Sequence, residues 1–85
     1  MAKKENKERE YLVSIIVYDD DKKANVFKRI SRELAENYAQ FSKGELVRLN
    51  DWSLTYRTNR KREALDMVCF MHIFNEKIEL LVKEK

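Results

Sequence analysis

The last third of the chain carries the pattern that most restricts the fold. Six apolar residues recur there with alternating spacings of three and four, at Ala64, Met67, Met71, Phe74, Ile78 and Leu81. This spacing places all six on one stripe of an α-helix over residues 60–85. No proline or glycine interrupts the segment, and good helix formers fill both ends. Such a helix extends about 39 Å, so its stripe needs a large apolar surface to pack against.

The same segment fits a second interpretation. Residues 67–74 are rich in β-branched and aromatic side chains and, together with residues 78–82, are typical of a strand pair. The turn between them would pass through Asn75, with no glycine for the positive φ that tight turns usually need. We therefore predict the long helix and keep further strands over residues 67–82 as the alternative.

The preceding sequence predicts a strand, a helix and two more strands. Residues 11–18 are apolar at all positions but one, which is typical of a strand covered on both faces. Three aspartates at residues 19–21 supply N-cap candidates for a helix that ends at Gly44, where a glycine at positive φ commonly terminates a helix. Residues 45–49 and 53–58 read as short strands joined by a turn.

The expected fold is therefore a small α+β domain of order β-α-β-β-α, with a three-stranded, largely antiparallel sheet and a long C-terminal helix. We place this single domain at residues 11–85, after a flexible charged tail at residues 1–10. One cysteine excludes an internal disulfide, and no signal sequence or membrane span is recognisable, so a cytoplasmic protein is expected.

The apolar surface of such a fold exceeds what one subunit hides. A chain of 85 residues buries only about 60–65% of its unfolded surface. The stripe of the last helix and the second face of the first strand would both remain partly uncovered. We therefore expect a homodimer that forms through Met67, Met71, Phe74 and Ile78.

The charge distribution points to one binding segment. The net charge is +3, and residues 57–62 alone contribute four positive charges. Cations at the start of a helix oppose the helix dipole, whereas free N–H groups beside cations suit phosphate. Neighbouring aromatic rings would stack on bases. The candidate nucleic-acid site is therefore Arg57, Arg60, Lys61 and Arg62, with Tyr56 and Trp52.

Catalytic patterns are sparse. His72 and Cys69 have no second histidine or cysteine with which to form a metal cage, so we expect no catalytic residues, metal or cofactor. The first functional hypothesis is a small non-enzymatic regulator that binds DNA or RNA. The alternative is an adaptor or inhibitor, of the kind that phages and mobile elements encode, which binds an acidic protein surface. A magnesium-dependent enzyme using residues 19–21 ranks third.

Overall fold

The computed structural model describes residues 9–84 and shows two helices packed against one face of a four-stranded sheet. The elements are β1 (Arg9–Ile16), α1 (Asp20–Glu36), β2 (Gly44–Asn50), β3 (Ser53–Thr58), α2 (Lys61–Met71), a 3-10 turn (His72–Phe74) and β4 (Lys77–Glu84). Of the tail expected at residues 1–10, positions 1–8 lie outside the described residues, and Arg9 and Glu10 begin β1.

The strands lie in the order β2-β3-β1-β4, and each neighbouring pair is antiparallel. With one helix after β1 and another after β3, this is the β-α-β-β-α-β order of the ferredoxin-like split arrangement. The expected small α+β domain with an antiparallel sheet is confirmed. The expected count of three strands is wrong, because residues 77–84 add a fourth strand beside β1.

The core lies between the sheet and the helices. Alternate residues of β1 point into it and are buried, among them Val13 and Ile15. Ile30 of α1 and Met67 of α2 meet them there, and both are completely buried. The intervening residues of β1 point to the opposite face of the sheet, where no helix of the described residues lies.

Asp19 fixes the start of α1. Its carboxylate accepts a hydrogen bond from the backbone N–H of Lys22 at 3.0 Å, as the N-cap role requires. Asp20 and Asp21 occupy the first turn, where negative charge favours the helix dipole. The three aspartates are thus accounted for as helix-start residues.

Gly44 does not terminate α1, which ends eight residues earlier at Glu36. Gly44 opens β2 instead, and its φ is not positive. A Cβ atom at this position would overlap the ring of Tyr56. The chain therefore needs glycine here because the backbone passes directly against a buried aromatic ring.

The prediction of a long C-terminal helix is wrong, because α2 ends at Met71 and the chain then reverses direction. Asn75 adopts the left-handed conformation with φ 58°, and its N–H bonds to the carbonyl oxygen of His72 at 3.2 Å. Asparagine tolerates this region without the steric penalty that most residues pay. The alternative with strands over residues 67–82 holds only from Lys77 onward, because residues 67–71 are helical.

Asn75 should therefore control the stability of the α2–β4 connection. Asn75→Ala should lower the free energy of unfolding by about 1 kcal/mol, because a Cβ without a local polar partner disfavours the left-handed region. Asn75→Gly is the matched control and should be neutral or slightly stabilising. Urea denaturation of both variants measures the difference. Equal stabilities would contradict the left-handed assignment.

Candidate functional site

Aromatic and cationic residues were expected to form one nucleic-acid site, but in the fold Trp52 lies far from the cations at the start of α2. Trp52 lies in the turn before β3, whereas Arg60, Lys61 and Arg62 lie beyond its other end. A strand of six residues extends about 20 Å. Trp52 therefore cannot stack on a base that contacts the phosphates at the start of α2.

Tyr56 is completely buried and offers no surface for stacking. Its hydroxyl lies 2.7 Å from Oε1 of Glu63 and 3.1 Å from the carbonyl oxygen of Phe41. The same carboxylate oxygen accepts a bond from the backbone N–H of Lys43 at 3.2 Å. This cluster joins the first turn of α2 to the segment that precedes β2. Tyr56 therefore has a structural role in the interior and is not part of the expected nucleic-acid surface.

The environment of Tyr56 also keeps its hydroxyl protonated. Burial raises the pKa of Tyr56 well above its ordinary value, and the hydrogen bond to Glu63 and the charge of that carboxylate raise it further. The Thr58 side chain acts weakly in the opposite direction on this pKa. A neutral hydroxyl is what the cluster needs, since its single proton is donated to Oε1 of Glu63, the nearer of the two oxygen acceptors.

The raised pKa of Tyr56 predicts a loss of stability at alkaline pH. Above about pH 10 the unfolded chain releases this proton while the folded protein retains it, so the free energy of unfolding falls as the pH rises. Tyr56→Phe should remove this part of the pH dependence and should cost about 1–3 kcal/mol near neutral pH, since Glu63 loses a buried donor. Urea midpoints from about pH 8 to about pH 11 measure both effects.

The matched control is Tyr38→Phe, because Tyr38 is 71% exposed and contributes no buried hydroxyl. It should keep the alkaline slope of the unmodified protein. Parallel curves for the unmodified protein and Tyr56→Phe would contradict the role assigned to this hydroxyl.

Arg57 is partly exposed, but carboxylates compensate its charge. Its guanidinium forms ion pairs with Glu45 on β2 and, at 3.8 Å, with Glu10 on β1. These residues occupy neighbouring strands on the helix-free side of the sheet. A phosphate that approached Arg57 would also meet the two carboxylates. This residue therefore contributes little to an anion site.

Three cations remain at the start of α2. Arg60 occupies the N-cap position without a side-chain cap, and its own backbone N–H donates to Oγ1 of Thr58 at 3.1 Å. Lys61 and Arg62 follow in the first turn and are exposed. Arg62 pairs loosely with Asp66, one turn later, at 3.7 Å. These side chains keep most of their positive charge accessible.

The residues expected to form a dimer interface belong mainly to the core. Met67 and Met71 are completely buried within the subunit, so a second subunit cannot contact them in this fold. Phe74 and Ile78 are half-buried and pack against the same core. The ring of Phe74 also lies beneath the guanidinium of Arg29, at 5.8 Å. The proposed surface is thereby reduced to two partly covered side chains.

The helix-free face of the sheet was indicated only indirectly by the sequence. It carries a concavity of about 260 Å³ whose lining comes from all four strands and the β2–β3 turn and is half apolar, half polar. The apolar side chains around it are Leu12, Ile16, Leu49, Trp52 and Leu81. At its floor the hydroxyls of Ser14 and Thr55 bond to each other at 2.7 Å. The sequence signal was the first strand, which is apolar on both faces.

Trp52 lies at the rim of this face, and two hydrogen bonds fix the position of its backbone. Its backbone N–H donates to Oδ1 of Asn50 at 3.1 Å, and its carbonyl oxygen accepts from the N–H of Val17 at 2.8 Å. The ring of Tyr18 stacks beside the indole at 6.3 Å between centroids. Trp52 is 45% exposed and Tyr18 is 75% exposed. The result is an exposed aromatic pair next to the concavity.

Comparisons with known proteins assign no relative: no family model, no curated protein and no solved structure matches this chain. Within residues 9–84, no group of three or more metal-binding side chains comes together. Neither of the two helices in that range is long and apolar enough to cross a membrane.

Proposed function

We propose that this protein is a non-enzymatic, protein-binding regulator that holds its partner on the helix-free face of the sheet. The observation that carries the proposal is the concavity between Leu12, Leu49 and Leu81, flanked by the partly exposed indole of Trp52. Clustered exposed apolar side chains mark interaction surfaces. Tryptophan is among the residue types enriched at the positions that dominate the binding energy of such interfaces.

The chemistry of the face favours a protein over a nucleic acid. Four-stranded sheets that bind single-stranded RNA stack bases on aromatic rings of their central strands. The central strands here present Leu12 and Ile16 beside a pair of hydroxyls that satisfy each other. Glu79 adds a negative charge to the lining. An apolar side chain of a partner protein fits this lining better than a phosphate backbone.

The test uses two double variants of similar chemistry. Leu49→Ser with Trp52→Ala removes two exposed side chains from the helix-free face, and Leu65→Ser with Ile73→Ser removes two from the helical side. Affinity capture from extracts of the source cells should recover the same protein with the unmodified chain and the helical-side variant. The face variant should bind that protein roughly 30-fold more weakly, the effect of about 2 kcal/mol.

Fluorescence then locates the contact. Trp52 is the only tryptophan of the chain, so its emission reports on this face alone. Binding of the recovered protein should shift the emission to shorter wavelength and protect the indole from acrylamide. Equal capture by both double variants, or binding that leaves the emission unchanged, would overturn the proposal.

Nucleic-acid binding is the second candidate, and the exposed cations at the start of α2 favour it. Three phosphates neutralised by Arg60, Lys61 and Arg62 predict a slope of about −2 to −3 when the logarithm of duplex affinity is plotted against the logarithm of salt concentration. Replacing all three with alanine should abolish binding at about 50 mM salt. Lys28→Ala with Arg32→Ala, on exposed positions of α1, is the control. Binding that survives the triple variant would rule this site out.

The proposal also covers catalysis, cellular location and oligomeric state. We assign no catalytic role, since the one enzyme candidate, residues 19–21, serves the start of α1. Cytoplasmic residence fits the single cysteine, Cys69, which is a free and exposed thiol. The homodimer also stays part of the proposal, and the edge of the sheet offers it a different surface from the one expected from the sequence.

A further inference from the structure

The two edges of the sheet differ. The edge strand β2 pairs irregularly with β3, because the register shifts between Val47 and Asn50. Such an irregularity bends an edge strand and hinders the addition of another strand. The other edge strand, β4, pairs with β1 through eight consecutive residues without a shift. Its outer edge is therefore a straight and regular template.

Three consecutive apolar residues lie at the centre of β4. Leu80 is 45% exposed, Leu81 is 53% exposed and Val82 is 45% exposed. Leu80 and Val82 project to the helix side and Leu81 to the helix-free side, as their pairing with β1 requires. A regular edge with exposed apolar side chains on both faces favours strand addition.

We propose that β4 pairs antiparallel with β4 of a second copy of this chain, around a two-fold axis that passes through Leu81. The two sheets then form one continuous sheet of eight strands. In this register Leu80 faces Val82 of the second copy, and Glu79 faces Lys83 of the second copy. The two-fold axis repeats both pairs, so two apolar pairs and two pairs of opposite charge flank the axis.

Other registers lose this complementarity. Opposite residues of an antiparallel pair share a face, so the register can change only in steps that keep each side chain on its own face. An axis through Leu80 sets Lys77 against Lys83 of the second copy. An axis through Val82 sets Leu81 against Lys83. Residues 79–83 of β4 are thus self-complementary around Leu81, whereas Ile78 at the end of the pairing faces Glu84 of the second copy. The complementarity of these five central positions is the argument for a second copy rather than an unrelated strand.

The assembly closes at two subunits. In the dimer the outer edges of both β4 strands are paired. The edges of the eight-stranded sheet are then the two irregular β2 strands. A two-fold interface uses the same surface on both subunits and leaves no copy of it free. The axis is perpendicular to the sheet, so both helix-free faces lie on the same side of the dimer. The dimer does not depend on the function proposed for those faces.

Exchange of charges tests the register. At about 100 μM the unmodified chain should have twice its mass of 10.3 kDa in analytical ultracentrifugation. Glu79→Lys sets two lysines against each other on both sides of the axis, and Lys83→Glu does the same with two glutamates. Each variant alone should weaken the dimer by about tenfold or more. An equimolar mixture of the two variants should restore it, because each lysine then meets a glutamate.

Controls separate this proposal from the proposed function. Leu49→Lys changes the helix-free face away from β4, so it should leave the dimer mass unchanged even if it abolishes partner binding. Leu81→Glu places two like charges on the axis and should give a monomer, which provides a second test if a charge variant folds poorly by circular dichroism. A monomeric unmodified chain, a dimer that survives these changes, or a mixture that fails to restore the dimer overturns the proposal.

Discussion

The structure depends on the position of β1 between β3 and β4. Both edges of β1 are paired, so its side chains alternate between the two faces of the sheet. Val13 and Ile15 enter a core that the two helices close, whereas Leu12 and Ile16 enter the face that no helix of residues 9–84 covers. A strand that is apolar on both sides thus lies in a sheet with helices on one side only. The apolar side chains on the helix-free face follow from this mismatch.

The sequence predicted the type and order of the elements up to residue 71, although not the end of α1, because their signals are local. The cap at Asp19 and the strand at residues 53–58 appear where the residue types predict them. The segment after residue 71 differs from the predicted helix, because the six-residue stripe fits a helix through Leu81, whereas Asn75 adopts the left-handed conformation usually left to glycine. Pairing of β4 with the free edge of β1 is a long-range gain that helical periodicity does not reveal.

The residues of the candidate nucleic-acid site lie apart in the fold for a related reason. The positions of Tyr56 and Arg57 are adjacent in sequence but face opposite sides of the sheet, one toward Glu63 in the interior and the other toward carboxylates on neighbouring strands. The strand register decides which carboxylate pairs with which cation. Counting charges along the chain does not reveal this register. The sequence pattern also predicted that Gly44 ends the first helix. Glycine is needed there for another reason, because the backbone passes against the ring of Tyr56.

The central claim is that the apolar side chains around the concavity of the helix-free face are open to solvent. Methyl NMR with a soluble paramagnetic probe measures this directly, residue by residue. Leu49 should show strong relaxation enhancement and Leu12 and Leu81 an intermediate one, while Val13 and Val17 should show almost none because they are buried. Protection of Leu12 and Leu81 equal to that of Val13 would mean that another part of the molecule covers this face, which would contradict the account.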